Sequence, residues 1–485
     1  MPALNSPIIK TLYEHRTMSS IDGSLSTSRT TLGRWFARFL TSRHNLYLVL
    51  KSAVQVFAIR IVGAGLAYAS MILLARWLGA RDFGIYAYVF VVISLLGLGL
   101  SFGFNSSGLQ FVPSYLARKK VRRLSGFLRQ SHLIVLGLSL LGSALGAVVA
   151  FKFRNIIDPD YFGPLILGLS CVPLWTLIIQ FETTARAFGW VNLAYIPTYI
   201  FRPLLMLGFV GGLVMSQGMA DATSALWAMI AACAIVGLVQ GILLYTRARQ
   251  YLADTKPTFH ARHWIKTSLN FLMIDGFRMA LDNADILIIG WLLDPHGVAV
   301  YFAVTRTGNL VAFISFSMIA LAVPKFAEIH NTGTRQDLQN FVSEVIQLMF
   351  WPSLLTAFAL AVFGPYVLSL FGPDFVTGYP TLLVVLSGLL LRAASGPVEY
   401  LLNMTGHHQD TMRVYAFASL ASIVLVLLLI PAFGIIGAAI GTYTAILGGN
   451  FCLYRLVQKR LGVSAFVYPF GRSAKTTAAR PTAEL

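Results

Sequence analysis

The sequence predicts an all-α membrane protein in which twelve transmembrane helices form two parallel six-helix lobes around a central cavity. Composition is the first observation: 56% of the 485 residues are apolar and 12% are charged, whereas ordinary soluble domains carry about 25% charged residues. The second is a succession of apolar stretches that are long enough to cross a bilayer. The third is that the second half of the chain repeats residues of the first.

The apolar stretches fall into two sets of six, each stretch close to the ~20 residues that a spanning helix needs. The first set covers 52–74, 85–110, 127–150, 162–182, 191–215 and 222–246. The second set covers 267–293, 297–323, 341–363, 379–402, 413–431 and 435–457. We therefore expect an N-terminal lobe over 48–250, a cytoplasmic linker over 251–266, a C-terminal lobe over 267–462 and a cytoplasmic tail over 463–485.

Matching residues recur between the halves at a nearly constant offset in the numbering. The matched sets are Trp77-Leu78 and Trp291-Leu292, Tyr86 and Tyr301, Pro113 and Pro324, Pro159-Asp160 and Pro373-Asp374, and Gly189 and Gly406. Because each copy contains an even number of spans, the copies are parallel and related by an axis along the membrane normal. Carriers built in this way bind substrate where the copies meet, so the duplication indicates a carrier.

Basic residues lie in the tails and in every second loop. The chain has 37 Lys and Arg against 19 Asp and Glu, which gives a net charge of +18. The groups run from Arg29 to Lys51, from Arg118 to Arg123, from Arg247 to Lys266 and from Arg455 to Lys475. The positive-inside rule places these groups and both termini in the cytoplasm. The charge pattern therefore reflects membrane topology and argues against nucleic-acid binding.

The N-terminal tail, residues 1–47, divides into two parts. Residues 1–30 are rich in Ser and Thr and show no periodicity, which favours disorder. From Leu32 onward, apolar residues recur at helical spacing with Arg34, Arg38 and Arg43 on the other side, which predicts a basic amphipathic helix. This helix either lies in the anionic cytoplasmic leaflet or presents a solvated face that only anchors the topology.

Ionisable residues occur well within the predicted spans, where a charge costs at least ~2.5–3.5 kcal/mol at the bilayer centre. They are Arg60, Arg202, Arg278, Arg306, Arg392, Asp275, Asp282, Asp285 and Glu399. Such residues must face water or one another, so they are the candidates for function.

The seventh span carries Asp275, Arg278, Asp282 and Asp285 at steps of three, four and three residues, which places them along one face of a helix. In one interpretation, Asp275 and Asp282 neutralise Arg278 and so allow a polar helix to insert. In the other, at least one carboxylate among these residues and Glu399 binds and releases a coupling cation, H⁺ or Na⁺. We expect no other cofactor.

The intramembrane arginines come from both halves of the chain. Guanidinium groups stay charged and bind phosphate through two hydrogen bonds, which predicts a diphosphate or an acidic sugar as the cargo. The candidate substrate-binding residues are Arg60, Arg202, Arg278, Arg306 and Arg392. Alternatively, Arg60 and Arg392 snorkel to the interface, or pair with Glu399 or with backbone carbonyl groups.

No arrangement of residues points to catalysis. The chain has no phosphate-binding GxxxxGK[ST] loop, and Thr183, Thr184 and Ser395 have no His and carboxylate partners that would activate them as nucleophiles. Its three cysteines lie singly in apolar windows without metal-ligand spacing. We therefore expect neither an enzyme nor a metal site.

Three segments carry motifs that are specific in combination. They are 75–86 (ARWLGARDFGIY), 281–292 (LDNADILIIGWL) followed by Val300 and Tyr301, and 429–442 (LIPAFGIIGAAIGT). Together they resemble the polysaccharide repeat-unit flippases, the O-antigen and exopolysaccharide flippases of the multidrug/oligosaccharidyl-lipid/polysaccharide exporter superfamily. The resemblance covers roughly residues 48–462.

The resemblance implies that the protein moves an undecaprenyl-diphosphate-linked oligosaccharide between leaflets of the bacterial inner membrane by ion-coupled alternating access. It also implies membrane lipids, a polysaccharide polymerase and a chain-length regulator as partners. Arg60, Asp285 and Arg306 fall at positions that are often polar in such proteins, whereas Arg278 and Arg392 match no family motif. Twelve spans rather than fourteen favour O-antigen, capsule or exopolysaccharide cargo over a peptidoglycan precursor.

Two alternatives stand beside this hypothesis. A multidrug or metabolite/cation antiporter of the same superfamily would share the architecture, although intramembrane arginines repel cations. A component of a polysaccharide assembly complex that does not itself transport would need a large periplasmic loop or a catalytic constellation, and the short loops of this sequence offer neither.

Overall fold

The computed structural model describes residues 31–252 and 256–467, and every regular element in these ranges is helical. The earlier elements are α1 (Thr31–Leu100), α2 (Phe104–Ala117), α3 (Val121–Lys152), α4 (Pro159–Ala187), α5 (Val191–Ile196), a π-helical turn (Pro197–Phe201), α6 (Arg202–Gln217) and α7 (Ala222–Leu252). The later elements are α8 (Ala261–Leu292), α9 (Pro295–Thr332), α10 (Arg335–Ser369), a 3₁₀ turn (Pro373–Gly378), α11 (Tyr379–Ala394), α12 (Val398–Met404) and α13 (His408–Leu461). The tail predicted to be disordered, residues 1–30, lies outside the described residues.

Among the residues that the structure describes, eight helical stretches are long and apolar enough to cross a membrane. The stretch 55–100 of α1 has 46 residues and α13 has 54, so at ~1.5 Å per residue each exceeds twice the ~30 Å hydrocarbon core and crosses it twice. Helices α8 and α9, with 32 and 38 residues, also have the length to cross. With these two and the two double crossings, the helices supply the twelve crossings of the predicted all-α fold.

Glycines form the bends at which the two longest helices turn back. Gly79 interrupts α1 with φ 78° and ψ 168°, and Gly434 interrupts α13 with φ 58° and ψ −137°. Both residues have a positive φ, which a residue with a Cβ atom adopts only at a cost. Each bend lies inside a segment that the sequence analysis had singled out.

The turn residues shared by the two halves stand at helix starts. Asp158 caps α4 by accepting a hydrogen bond from the backbone N–H of Asp160 at 2.9 Å, and Pro159 occupies the first helical position. In the second half, Pro373 begins the 3₁₀ turn that leads into α11. Within the fifth predicted span, Pro197 begins the π-helical turn, so this crossing consists of α5, the turn and α6.

The chain divides into two compact units between Gly276 and Phe277, inside α8. The first turns of α8 pack in the core of the first unit, where Trp264 packs against the Phe127 ring and its indole N–H donates to the Tyr115 hydroxyl at 2.8 Å. The remainder of α8 belongs to the second unit. The lobe and linker limits drawn from hydropathy stay predictions.

Candidate functional site

Charged side chains of the second unit line two adjoining cavities of about 160 and 300 Å³. We call these residues the second-unit cluster: Arg278, Asp282, Asp285, Arg306, Arg392 and Glu399. Helix α8 supplies the first three from one face, as their spacing predicts, while α9, α11 and α12 supply one residue each. Asp282 and Arg392 border both cavities, so the two chambers form one charged region inside the unit.

An ion pair joins α8 to α12 at one end of this region. Arg278 Nη1 lies 3.7 Å from Glu399 Oε1, and the Tyr415 hydroxyl on α13 donates a hydrogen bond to Glu399 Oε2. Glu399 is 9% exposed, whereas the Arg278 side chain is 45% exposed. Glu399 is therefore enclosed by its partners, whereas the Arg278 side chain is half-exposed.

Asp285 is the most enclosed carboxylate of the cluster, with 3% of its surface exposed. Its Oδ2 atom accepts hydrogen bonds from the Tyr301 hydroxyl at 2.5 Å and from Thr442 Oγ1 at 3.1 Å. Both donors are neutral and come from other helices, α9 and α13. A buried carboxylate needs such donors to offset its desolvation, and the backbone N–H of Ile286 supplies a third donor to Oδ1 at 2.8 Å.

Arg306 and Arg392 flank the carboxylates of α8. The Arg306 guanidinium stacks over the Phe302 ring at 4.5 Å and interacts electrostatically with Asp285 and Asp282. Within the described part of the chain its Nε atom is buried and makes no hydrogen bond. Arg392 interacts with Asp282 and Glu399. With three cations and three carboxylates, the second-unit cluster is formally neutral.

A second group of charges lies within the first unit. We call it the first-unit cluster: Arg60 on α1, Glu182 and Arg186 on α4, and Arg202 on α6. Glu182 interacts electrostatically with all three guanidinium groups. Arg60 and Arg186 lie over the Tyr195 ring at 5.0 and 5.8 Å, and Arg202 lies over Trp175 at 4.4 Å. Three cations and one carboxylate leave this cluster with a formal charge of +2.

Glu182 and Arg186 were not among the residues predicted from the sequence. Glu182 is the last residue of the apolar window 162–182, and Arg186 lies beyond that window because α4 continues to Ala187. The repeat contains a signal that could have found the first of them. The offset that relates Gly189 to Gly406 also places Glu182 opposite Glu399.

Asp275 has a different environment from Asp282 and Asp285, the other two acids on the same face of α8. It belongs to the first unit, where the Ser106 hydroxyl on α2 donates a hydrogen bond to its Oδ2 atom at 2.5 Å. Arg278 forms its ion pair with Glu399. The sequence had suggested an arginine partner for Glu399, but the candidates were Arg60 and Arg392. Of the predicted site residues, Arg60 and Arg202 belong to the first-unit cluster.

Comparison with known proteins identifies the family. Residues 73–380 match the family model described as polysaccharide biosynthesis protein. The chain belongs to this family. The matched range runs from α1 into α11 and includes every member of the two clusters except Arg60, Arg392 and Glu399.

One curated relative and two solved structures are similar to the chain over most of its length. A probable low-salt glycan biosynthesis flippase, Agl15 of Haloferax volcanii, is 23% identical over 409 residues, which cover 81% of this chain and 80% of the relative. An inward-facing multidrug resistance MATE family transporter of the MOP superfamily has a TM-score of 0.67 at 16% identity over 84% of this chain and 98% of that one. The lipid II flippase MurJ, in an inward closed conformation, gives 0.65 at 15% identity over 84% and 87%.

Family and fold together confirm the predicted resemblance to polysaccharide flippases. The protein is a multi-pass membrane protein of the polysaccharide biosynthesis family with the fold of MATE and MurJ transporters, and the relatives named above are flippases or transporters and not enzymes. Within residues 31–252 and 256–467, no group of three His, Cys, Asp or Glu residues could hold a metal ion.

Proposed function

We propose that the protein moves undecaprenyl-diphosphate-linked oligosaccharide repeat units across the cytoplasmic membrane by ion-coupled alternating access. The observation that carries this proposal is the difference in charge between the two clusters. The first-unit cluster has an excess of two positive charges, whereas the second-unit cluster holds equal numbers of cations and carboxylates. The first suits an anionic cargo and the second suits a coupling cation.

The excess charge of the first-unit cluster supports a diphosphate as the recognised group. Arg60, Arg186 and Arg202 share the single carboxylate of Glu182, and an intramembrane cation is costly unless an anion or water stabilises it. A diphosphate supplies oxygen atoms for several guanidinium groups at once. In this proposal the polyprenyl chain of the cargo stays in the lipid, and the contacts of Arg278, Arg306 and Arg392 with the cargo stay predictions.

The carboxylates of the second-unit cluster support coupling to H⁺ or Na⁺. Asp285 is held by two neutral hydroxyl groups, and Asp282 interacts with Arg392 and Arg278. A cation that binds one of these carboxylates releases the arginine that had neutralised it. Cation binding would therefore change the positive charge available to the cargo, and this change would couple cation binding to cargo binding.

The cellular setting is part of the same proposal. Basic residues in the tails and alternate loops support insertion in a bacterial inner membrane with both termini in the cytoplasm. A polysaccharide polymerase and a chain-length regulator would receive the product. Short extramembrane connections, such as the two residues between α8 and α9, agree with a carrier that supplies other proteins and does not polymerise glycan itself.

Arg202 gives the most direct test of cargo recognition. In vesicles containing purified protein and an undecaprenyl-diphosphate-linked oligosaccharide, transfer between leaflets is followed by exposure of the glycan to an added glycosidase. Arg202→Gln should slow transfer by roughly tenfold or more, because a hydrogen bond to a charged group contributes ~1.5–3 kcal/mol. The matched control is Arg154→Gln, which removes an exposed arginine that also lies over an aromatic ring. Equal transfer by wild type and Arg202→Gln would contradict the proposal.

Coupling has a separate test in the same vesicles. Transfer should accelerate under a proton or sodium gradient in the wild type and lose that response in Asp285→Asn. If wild-type transfer ignores both gradients, the coupling part fails while the cargo part stands.

A cation exporter is the second candidate function, because the second-unit cluster supplies three carboxylates and the fold matches that of a MATE transporter. A panel of cationic drugs applied to a deletion strain separates the candidates. If the deletion strain is drug-sensitive and the gene restores normal sensitivity, the result favours drug export. If the deletion strain has normal drug sensitivity but has lost its surface polysaccharide, the result favours the flippase.

A further inference from the structure

A groove runs along the first unit between α7 on one side and α5, the π-helical turn and α6 on the other. Its volume is about 420 Å³, and apart from Asn192 and Arg247 its lining is apolar. Phe201 forms part of the wall with 55% of its surface exposed. The groove contains neither of the charged clusters, so the proposed transport chemistry leaves it unexplained.

The groove runs parallel to α7, and the residues of α7 that line it give its length. Ile235, Val239, Leu243 and Arg247 line it at steps of four residues, which places them on one face of the helix. The apolar three are 43%, 48% and 47% exposed. Twelve residues of helix separate the first of them from Arg247, a distance of ~18 Å, which is slightly more than half of the ~30 Å hydrocarbon core.

An aromatic group marks the membrane interface at the cationic end of the groove. Trp190 stacks on Phe188 with ring centres 4.5 Å apart and lies 6.1 Å from the Tyr251 ring. The Arg247 guanidinium is 5.9 Å from the Trp190 ring. Trp and Tyr gather at the level of lipid headgroups, so Arg247 stands where a phosphate group would lie.

We propose that this groove binds an anionic glycerophospholipid, with one acyl chain along α7 and the phosphate at Arg247. The depth of the groove corresponds to one leaflet, which suits an acyl chain, whereas an undecaprenyl chain is much longer than the groove. Charge complementarity at Arg247 selects an anionic headgroup. The bound lipid fills the space between α7 and the π-helical turn and so holds the fifth and sixth crossings together.

The test is native mass spectrometry of the full-length protein released from vesicles of phosphatidylglycerol and phosphatidylcholine. Wild type should retain phosphatidylglycerol in preference. Arg247→Gln should reduce that preference roughly fivefold, the effect of one basic residue near an anionic surface, and Arg249→Gln, two residues away on the same helix, should not. Val239→Trp should reduce retention of both lipids by filling the groove, while Val149→Trp, an exposed site on α3, should leave retention unchanged.

Three results would overturn the proposal. Equal retention of both lipids by wild type would show that the groove has no preference for anionic lipid. An equal loss in Arg247→Gln and Arg249→Gln would assign the effect to general surface charge. Displacement of phosphatidylglycerol by an equimolar polyprenyl phosphate would assign the groove to the lipid-linked cargo. Because none of these results depends on transfer of oligosaccharide, they leave the proposed function untouched.

Discussion

The hydrogen bond between Tyr301 and Asp285 can report whether Asp285 is ionised in the folded protein. The hydroxyl donates to Oδ2 at 2.5 Å, and both side chains are buried. A hydrogen bond to a charged group contributes ~1.5–3 kcal/mol to stability, and one between neutral groups ~0.5–1.5 kcal/mol. The cost of Tyr301→Phe therefore depends on the charge of its acceptor.

A double-mutant cycle measures this dependence. If Asp285 is ionised, Tyr301→Phe should cost ~1.5–3 kcal/mol in the wild-type background and ~0.5–1.5 kcal/mol in Asp285→Asn, whose amide oxygen can accept the same bond. The difference, about 1 kcal/mol, is the coupling energy. Free energies of unfolding come from titration of the purified protein with SDS in mixed micelles, at a pH near 7.

Tyr379 supplies a matched control within the same unit. Its hydroxyl donates to the backbone carbonyl of Ala361 at 2.7 Å, a neutral acceptor that Asp285→Asn does not alter. Tyr379→Phe should therefore have the same cost in both backgrounds. If Tyr301→Phe also costs the same in both, then Asp285 is uncharged in the resting protein, and a model in which Asp285 holds Na⁺ or neutralises an arginine is refuted.

Two further predictions concern the ends and bends of the second unit. Gly434→Ala should destabilise the protein by ~1–3 kcal/mol, because the φ of 58° and ψ of −137° at this residue suit glycine almost exclusively. The control is Gly448→Ala, inside α13 with open space at its Cα, which should be neutral or slightly stabilising. Thermal unfolding measures the stability of both variants. Gln339 exchanges hydrogen bonds with the backbone of Ser464 at 2.9 and 2.6 Å, so Gln339→Ala should speed limited proteolysis just after α13. Gln336→Ala, which removes a bond within α10, should not, and equal cleavage of the two variants would contradict the prediction.

Helical spacing predicted the local part of the candidate site. Arg278, Asp282 and Asp285 share a face of α8 because three- and four-residue steps return to the same side of a helix, and this needs no knowledge of the neighbouring helices. The partners of these residues could not be read in the same way. Glu399 reaches Arg278 from α12, and Tyr301 reaches Asp285 from α9, so both contacts depend on how separate helices pack.

Hydropathy also conceals a break in the second predicted span. The window 85–110 is apolar on average, yet α1 ends at Leu100 and α2 begins at Phe104. Gly103 has φ 73°, and a Cβ atom there would collide with the Ser268 carbonyl oxygen. The backbone of α8 approaches so closely that only glycine fits. An average over side-chain polarity cannot detect this constraint, because it arises from the space between two backbones.

The sequence repeat predicts a site residue, Glu182, that the apolar windows did not single out. Glu182 and Glu399 occupy equivalent positions in the two copies, and each interacts with a tyrosine from a following helical segment: Tyr199 in the first unit and Tyr415 in the second. Tyr199 stands one position further along the chain from its glutamate than Tyr415 does, so the first copy holds an extra residue between the acid and its tyrosine. Tyr199 lies in the π-helical turn, a geometry that accommodates one additional residue in a helix. The π-helical turn thus keeps the acid and the tyrosine together in the first copy, although one more residue separates them there than in the second copy.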